Sequence, residues 1–327
     1  MTEDELVAVI RKVLSGEGPG VLVGPGDDAA IVESGRGASV LTTDMLVEDV
    51  HFDRRLTSAR DLGYKAIAVN VSDIAAMAGA PRYALVSLGL SERDDPAWVV
   101  ELYGGMRSAC DEYALSLVGG DLDRAPRTVI SVTVVGEVAR GRAVLRSGAR
   151  PDDCIVVTGS LGAAAGGLQL ARAGHPSAAT EWGRALLDAH FRPVARVGEA
   201  ETLAQAGATA MMDVSDGLLL DLWRLCAESA VGARLDLPAI PVAPGLRELS
   251  EVIPSDPLDL ALSGGEDYEL LATIESGALG VATSKIDDRF GVALTDIGEI
   301  TEQGFLGVDA NGNEHELEPR GWDHLAR

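Results

Sequence analysis

The chain has 327 residues and is strongly acidic, with 51 Asp and Glu against 27 Lys and Arg and a formal net charge of −24. Such a surface repels the phosphate backbone of nucleic acids and anionic lipid, so we expect neither as a partner. The length exceeds that of a typical single core and predicts two domains.

The cysteines and the N-terminus indicate a cytoplasmic protein. Cys110, Cys154 and Cys226 are scattered without the paired spacing of a zinc site or a redox dithiol, which predicts packing residues in a reducing compartment. The first residues, MTEDELVAVIRKVL, have the pattern of an amphipathic helix rather than a signal peptide. No apolar run approaches the roughly 20 residues of a membrane span.

The first part of the chain mixes helices and strands. After the N-terminal helix and a Gly/Pro-rich loop, a strand is predicted over residues 38–43. Apolar residues near helical spacing then predict a long helix over 58–79. A strand over 82–90, a helix that Pro96 opens towards Tyr113, and strands over 115–118 and 128–136 follow.

An arginine-rich stretch, ARGRAVLRSGARPDD, separates the two predicted domains, 1–139 and 140–327. It is either a solvated linker or a segment from which one arginine contacts a phosphate group. The second domain opens with a buried strand, CIVVTG, and a Gly/Ala-rich helix. A helix over 197–206, the strand TAMMD, a helix starting at Ser215 or Asp216, and strands around YELLATI and FGVALTDIG complete it.

Candidate functional carboxylates lie in loops and at element ends beside Gly, Ser or Thr. Each one alone is typical of a turn or a helix cap. The set comprises Asp27, Asp28, Asp44, Asp73, Asp121, Asp213, Asp216, Glu266 and Asp267.

Two patterns in the first domain favour a metal site. Asp44 follows Thr42 and Thr43 at the predicted end of an apolar strand, and together these residues offer the oxygen ligands that Mg²⁺ prefers. Asn70 and Asp73 share a helix face that the apolar pattern buries. Because a buried, unpaired carboxylate is costly, Asp73 needs a cationic partner, and a metal ion is a candidate.

A third pattern lies in the second domain, where Asp213 and Asp216 flank a strand-to-helix turn. Such a turn can aim side chains and backbone N–H groups at one spot. The motifs of P-loop, dinucleotide-binding and protein-kinase folds are absent, as are HExxH and paired-Cys patterns. A nucleotide here would therefore be held mainly through metal ions and Gly-rich backbone.

Eight segments in order resemble the thiamine-monophosphate kinase family of the aminoimidazole-ribonucleotide-synthetase-like superfamily, from about residue 20 to the C-terminus. They are GDDAA, LTTDMLVEDVHF, KAIAVNVSDIAAMAG, LVGGD, LRSGARPDD, DVSDGL, LSGGEDYEL and GWDH. The resemblance implies an α/β architecture of two domains: an α+β N-terminal domain for Mg-ATP binding and dimerisation, and an α/β C-terminal domain that completes the active site. It also implies a homodimer paired through the N-terminal sheets.

The resemblance further implies roles for individual residues. The Mg²⁺ ligands, for several ions, would be Asp28, Thr42, Thr43, Asp44, Asp73, Asp121, Asp213 and Asp216. The ATP contacts would be Gly120, Asp121, Arg146 and Ser215, and the thiamine monophosphate contacts His51, Glu266 and Trp322. Taken alone, His51 is more typical of a half-buried histidine and Trp322 of a packing anchor. One departure is Asp49, which stands where the family usually has Gly and affects the turn before His51.

The implied reaction is the ATP-dependent phosphorylation of thiamine monophosphate to thiamine diphosphate. The acceptor phosphate has a second pKa near 6 and is already an ionised nucleophile at neutral pH, so no general base and no catalytic residue of that kind is expected. Two anions must still meet, and Mg²⁺ ions offset their repulsion during a direct in-line transfer.

Two other readings remain. One is another ATP-dependent synthetase of the superfamily, such as a purine-pathway cyclase or an amidine synthetase; the cyclases would carry a GTDGVGTK-like segment in place of LTTDMLVEDVHF. A selenophosphate synthetase would need a reactive Cys or Sec near the N-terminus, and the first 100 residues contain no Cys. A non-catalytic protein that buffers divalent cations would need a continuous ligand loop, such as the 12-residue EF-hand, which is absent.

Overall fold

The computed structural model describes residues 21–23, 27–34 and 37–323, so the predicted N-terminal helix lies outside the described residues. The strands are β1 (Val21–Val23), β2 (Ala30–Ser34), β3 (Gly37–Val47), β4 (Ala80–Leu90), β5 (Ser116–Arg124), β6 (Val129–Val138), β7 (Asp153–Thr158), β8 (Ala208–Asp213), β9 (Gly232–Asp236), β10 (Leu270–Glu275), β11 (Leu294–Thr301), β12 (Phe305–Val308) and β13 (Glu314–Glu316).

The helices of the described part of the chain alternate with these strands. They are α1 (Ala59–Ala76), α2 (Pro96–Glu112), α3 (Ala163–Ala173), α4 (Glu181–Phe191), α5 (Val197–Ala206), α6 (Leu218–Ser229), α7 (Leu246–Val252), α8 (Pro257–Ser263) and α9 (Ser276–Phe290). None of these helices combines the length and the apolar character that crossing a membrane requires.

The N-terminal sheet has the strand order β1-β2-β3-β6-β4-β5 and is antiparallel except for the β4–β5 pair. Helices α1 and α2 cover one face, where Ile67 and Met106 share a core with Val86 and Val132. The two helices cross closely, because a Cβ atom at Gly63 would lie 1.9 Å from the Leu102 carbonyl oxygen. Only glycine fits at this crossing, and the close contact with α2 fixes α1 against the face of the sheet.

The C-terminal sheet has the order β13-β12-β9-β11-β7-β10-β8, with one parallel pair between β9 and β12. Helices α5 and α9 pack on one face and α6 on the other, each through its own buried apolar cluster. Helices α3, α4, α7 and α8 form a further cluster beside this sheet. The two-domain α/β architecture is therefore confirmed.

Most predicted elements are present, although several of their boundaries differ. Strand β3 continues to Val47, so Asp44 lies within the strand rather than at its end. Helix α6 begins at Leu218, not at Ser215 or Asp216. Phe290 ends α9, so the predicted strand FGVALTDIG begins only at Leu294. The predicted boundary at 139/140 falls just after β6 and stays a prediction.

Candidate active site

A cavity of about 840 Å³ is lined by residues of both domains. Helix α1 forms part of its wall, because Leu62, Lys65, Val69 and Asp73 follow each other at helical spacing and all line it. With a rise of 1.5 Å per residue, Lys65 and Asp73 lie about 12 Å apart along the helix. The cavity therefore has an acidic end near Asp73 and a second polar end near Lys65.

Three carboxylates from separate parts of the chain meet at the acidic end. Asp28 precedes β2, Asp73 is on α1 and Asp213 ends β8, and one oxygen of each lies within 4.8 Å of the others. Burial raises the pKa of Asp73 well above its usual range, and the nearby Asp44 and Asp213 carboxylates raise it further. Burial and Asp28 raise the pKa of Asp213 in the same way. This cluster is unfavourable without a cation.

Hydroxyl and amide groups orient the cluster. The Thr42 hydroxyl donates to Asp73 Oδ2 at 2.6 Å, and the Ser72 hydroxyl donates to Asp213 Oδ2 at 2.5 Å. The Asn70 side-chain oxygen accepts from the Asp44 backbone N–H at 3.0 Å. The hydroxyl of Thr43 instead donates to the Val132 carbonyl at 3.0 Å. The donor set of buried carboxylates and hydroxyls has the chemistry of a magnesium site.

Arg146 neutralises one member of the cluster. Its guanidinium donates to both oxygens of Asp28, at 2.9 and 2.8 Å, and its backbone N–H donates to the Asp27 carboxylate. Burial raises the pKa of Asp27 to about 6, with Asp28 adding to the effect. The arginine that the resemblance assigns to ATP is thus already at the acidic end, on the segment between the domains.

The turn before α6 differs from the expectation that its N–H groups face a ligand. The backbone N–H groups of Ser215, Asp216 and Gly217 converge on Oδ2 of Asp221, at 3.1, 3.0 and 3.1 Å. Asp216 pairs with Arg224 at 2.5 Å. The anion-binding position at this helix end is therefore filled by the protein's own carboxylate.

The second polar end is built around Glu266. The Lys65 ammonium lies 2.7 Å from Glu266 Oε1, and His190 Nδ1 lies 3.1 Å from Oε2. Although burial acts to raise the pKa of Glu266, Lys65 and His190 hold it at about 2. Glu266 is therefore an ionised acceptor beside the cavity.

His51 and Trp322 also line the cavity. The His51 Nδ1 accepts from the Val47 backbone N–H at 3.0 Å, which leaves the proton of the neutral ring on Nε2. The Trp322 backbone N–H donates to the Asp216 carbonyl at 2.9 Å, while its side chain is 53% exposed. Both side chains are placed to contact a bound molecule.

Neither Gly120 nor Asp121 lines the cavity, and Asp121 is far from the acidic end within one chain. Asp121 is exposed on β5, three strands away from Asp44, or about 14 Å at the usual strand spacing. Asp121 pairs with Ser87 and lies in the row of Met45, whereas Asp44 lies in the row of Val132 on the helix-covered face. The two carboxylates therefore face opposite sides of the sheet.

Sequence reasoning missed several residues of the site. Lys65 carries no motif signal, although it lies on the cavity-lining face of α1 together with Asp73. His190 lies in no motif segment, and Tyr268 lies in LSGGEDYEL but was given no role. Tyr268 lines the cavity, and its backbone, like that of Glu266, has a positive φ. Positive φ at two non-glycine residues in the segment GGEDYE was not visible in the sequence.

Comparisons with known proteins place the chain in a family. The family model described as "AIR synthase related protein, N-terminal domain" matches residues 26–138, and the model of the corresponding C-terminal domain matches residues 150–311. Thiamine-monophosphate kinase of Bacillus subtilis (strain 168) is 34% identical over 93% of each chain. That of Escherichia coli (strain K12) is 36% identical over 94% of this chain and 93% of its own. This chain belongs to the thiamine-monophosphate kinase family.

A solved structure supports the assignment to this family. AaThiL complexed with AMPPCP and TMP has a TM-score of 0.86 and 35% identity to the chain, covering 99% of this chain and 97% of that one. The resemblance found in the sequence to the thiamine-monophosphate kinase family is thereby confirmed, and the chain is a kinase.

Proposed function

We propose that this kinase transfers the γ-phosphoryl group of ATP to thiamine monophosphate, forming thiamine diphosphate and ADP. The observation that carries the proposal is one cavity with a carboxylate cluster at one end and an ionised Glu266 at the other. The relative of known structure was solved with AMPPCP, an analogue of ATP, and with TMP.

The distribution of charge in this cavity favours one orientation of the substrate. Its phosphate belongs at the acidic end with the metal ions, and its cationic thiazolium and amino-bearing pyrimidine belong towards Glu266. The distance of about 12 Å along α1 between Asp73 and Lys65 is comparable to the length of the molecule. His51 and Trp322 also line the cavity and would contact the ring system.

Magnesium fits the acidic end, because its oxygen ligands are buried together and their charge is only partly offset. Asp28, Thr42, Asp44, Asp73 and Asp213 would hold the ions, and Asp216 would hold a further one after leaving Arg224. When bound, the ions supply charge neutralisation for the two phosphate groups.

The protein's own residues then bind and orient. Arg146 would exchange Asp28 for an ATP phosphate once cations neutralise that carboxylate, and Ser215 lies at the same cavity wall. The acceptor phosphate is its own nucleophile, so neither a histidine nor a cysteine takes its proton. Cys110 and Cys226 are buried, and burial raises their pKa values to about 11 and about 12, as expected of packing residues.

The direct test is incubation of the protein with Mg-ATP and thiamine monophosphate, with separation of the products by chromatography. We expect thiamine diphosphate and ADP in equal amounts, and very little of either with Asp73→Asn. ATP turnover only with a purine-pathway amidine would instead support the synthetase alternative.

We propose further that the active protein is a homodimer joined through the open face of the N-terminal sheet. Met45, Tyr83 and Leu85 are 54%, 52% and 45% exposed there, which is unusual for large apolar side chains of one sheet. Asp121 lies on this same face and would reach the partner's site rather than its own. This arrangement reconciles the implied ligand role of Asp121 with its distance from Asp44.

A further inference from the structure

Lys65 is a buried ammonium group to which no role has been assigned. It projects from α1 of the N-terminal domain, donates to the His190 carbonyl at 3.1 Å and lies 2.7 Å from Glu266 Oε1 in the C-terminal domain. Among the described residues it pairs with no other carboxylate. A lysine is rarely buried unless it is paired, and the partner of Lys65 at the cavity wall is the Glu266 carboxylate.

The segment that carries Glu266 is constrained on each side. The Asp267 carboxylate accepts from the N–H groups of Gly162 and Ala164 at the start of α3, at 2.7 and 3.3 Å. Glu269 is held by Arg196 at 2.5 Å. Of the three acidic side chains in GGEDYE, only Glu266 is directed to Lys65 and the cavity.

The backbone of this segment is strained. Glu266 has φ +60° and Tyr268 has φ +52°, a region that non-glycine residues occupy at a cost. The Glu266 N–H donates to the Ser215 carbonyl at 2.7 Å, which ties the strained residue to the turn before α6. Strain of this kind persists where the surroundings fix one orientation of a side chain, and it is concentrated at functional sites.

We propose that Lys65 is a positioning residue: its ammonium orients the Glu266 carboxylate so that this carboxylate accepts a hydrogen bond from an N–H donor on the ring end of the substrate. The inference rests on the proposed function. Lys65 itself contacts Glu266 and His190 rather than the substrate. Because α1 also carries Asp73, the same helix would set both the phosphate end and the ring end of the site.

The test is a double-mutant cycle on Lys65 and Glu266 at pH 8, with KM for thiamine monophosphate and kcat measured separately. Lys65→Met keeps the length of the aliphatic chain and removes the charge, and Glu266→Gln removes the acceptor charge. We expect each to raise KM about tenfold or more while kcat changes less than about threefold, because the interaction lost is one to a charged group at the ring end. Lys65→Arg retains the charge and restores most of the KM.

The double variant decides between positioning and direct contact. If Lys65 acts through Glu266, the double variant has a KM within about twofold of that of Glu266→Gln. Multiplied effects, or a loss in kcat as large as that in KM, would overturn the proposal. If Lys65→Met does not fold, the double variant still carries the test, since it leaves no buried charge unpaired.

The matched control is Lys285→Met, on the exposed surface of α9, which we expect to leave KM unchanged. Calorimetric titration of thiamine monophosphate without ATP measures the same cycle as binding. A cycle that behaves as expected in binding, in a protein that forms no thiamine diphosphate, would sink the proposed function and leave the positioning role intact. If the wild type forms product but the effects of the two substitutions are additive, the positioning role is wrong and the proposed function stands.

Discussion

Individual carboxylates at the acidic end lie in surroundings that disfavour their ionised form. Asp73 has a hydroxyl donor in Thr42 but lies near Asp44 and Asp213, and both burial and these neighbours raise its pKa. A carboxylate whose pKa is higher in the folded than in the unfolded protein binds protons more readily when folded. It therefore lowers stability as the pH rises above about 4, its unfolded value, through the raised value.

Asp73→Asn should consequently separate stability from activity. We expect the chelator-treated variant to melt at a higher temperature than wild type, with a larger difference at pH 8 than at pH 5. We also expect turnover to fall by at least about a hundredfold, because a ligand for the cations is lost. Differential scanning calorimetry and the product assay measure the two effects.

Magnesium provides the control for this prediction. Saturating Mg²⁺ should raise the melting temperature of wild type, since a cation that binds only the folded state stabilises it, and should do so much less in Asp73→Asn. Full activity in the variant, or equal stabilisation of both proteins by Mg²⁺, would contradict a metal role for Asp73.

Asp49 illustrates a departure from the family pattern that the structure explains. It has φ +64°, where glycine is favoured and Asp is tolerated better than most residues, and its carboxylate pairs with Arg127 at 2.7 Å. The local turn before His51 is therefore formed with Asp as well as with Gly.

Two substitutions of Asp49 should change the free energy of unfolding by different amounts. Asp49→Ala adds the backbone cost and loses the ion pair, so we expect a loss of about 1–2 kcal/mol in the free energy of unfolding. Asp49→Gly relieves the backbone and should lie within about 0.5 kcal/mol of wild type. Urea unfolding measures both, and an alanine variant as stable as the glycine variant would disprove the strain.

At the scale of elements, the turn from β8 into α6 depends on one buried side chain. Asp221, in the first turn of α6, accepts three backbone N–H groups and also contacts Arg224 at 3.2 Å. Burial and the neighbouring Asp216 raise the pKa of Asp221 to about 7. The turn is thus rigid before any ligand arrives, and Asp216 and Ser215 are held at the cavity wall.

Asp221→Ala should therefore be costly, because it leaves several buried N–H groups without an acceptor. We expect a loss of about 2–4 kcal/mol in the free energy of unfolding. Asp256→Ala, which removes an exposed N-cap of α8, is the matched control and should cost about 1 kcal/mol. Equal losses in the two variants, measured by urea unfolding, would show that the three convergent bonds carry no special weight.

At the scale of the whole molecule, the proposed homodimer would make the site a property of two chains, because Asp121 faces away from Asp44 within one chain. Asp44→Asn and Asp121→Asn homodimers should each be nearly inactive. If Asp121 serves the partner's site, a heterodimer of the two has one complete site, and random mixing should restore about a quarter of wild-type activity.

The control mixture is Asp44→Asn with Asp73→Asn, which change the same site and should restore nothing. Subunits are exchanged by mild denaturation and refolding, and light scattering confirms the dimer. Absence of recovery in the first mixture, with dimers present, would mean that Asp121 does not act across the interface.

The sequence by itself determined the elements that depend on neighbouring residues. Ser58 and Asp95 cap α1 and α2, and Pro96 begins α2, all as their local chemistry predicts. The resemblance carried by the ordered motifs also grouped Asp28, Asp44, Asp73, Asp121, Asp213 and Asp216 as metal ligands, and the structure brings Asp28, Asp73 and Asp213 together. Local patterns of this kind can be recognised in the sequence alone.

The tertiary structure decided which of these groups meet. That Lys65 pairs with Glu266, 201 positions away in number, that Asp221 fills the turn before α6, and that Asp121 faces away from Asp44 all depend on how helices and strands pack. A residue's neighbours in space follow from strand order and helix crossing, which are set by the summed burial of the whole core. No short segment contains that information, so no motif could show it.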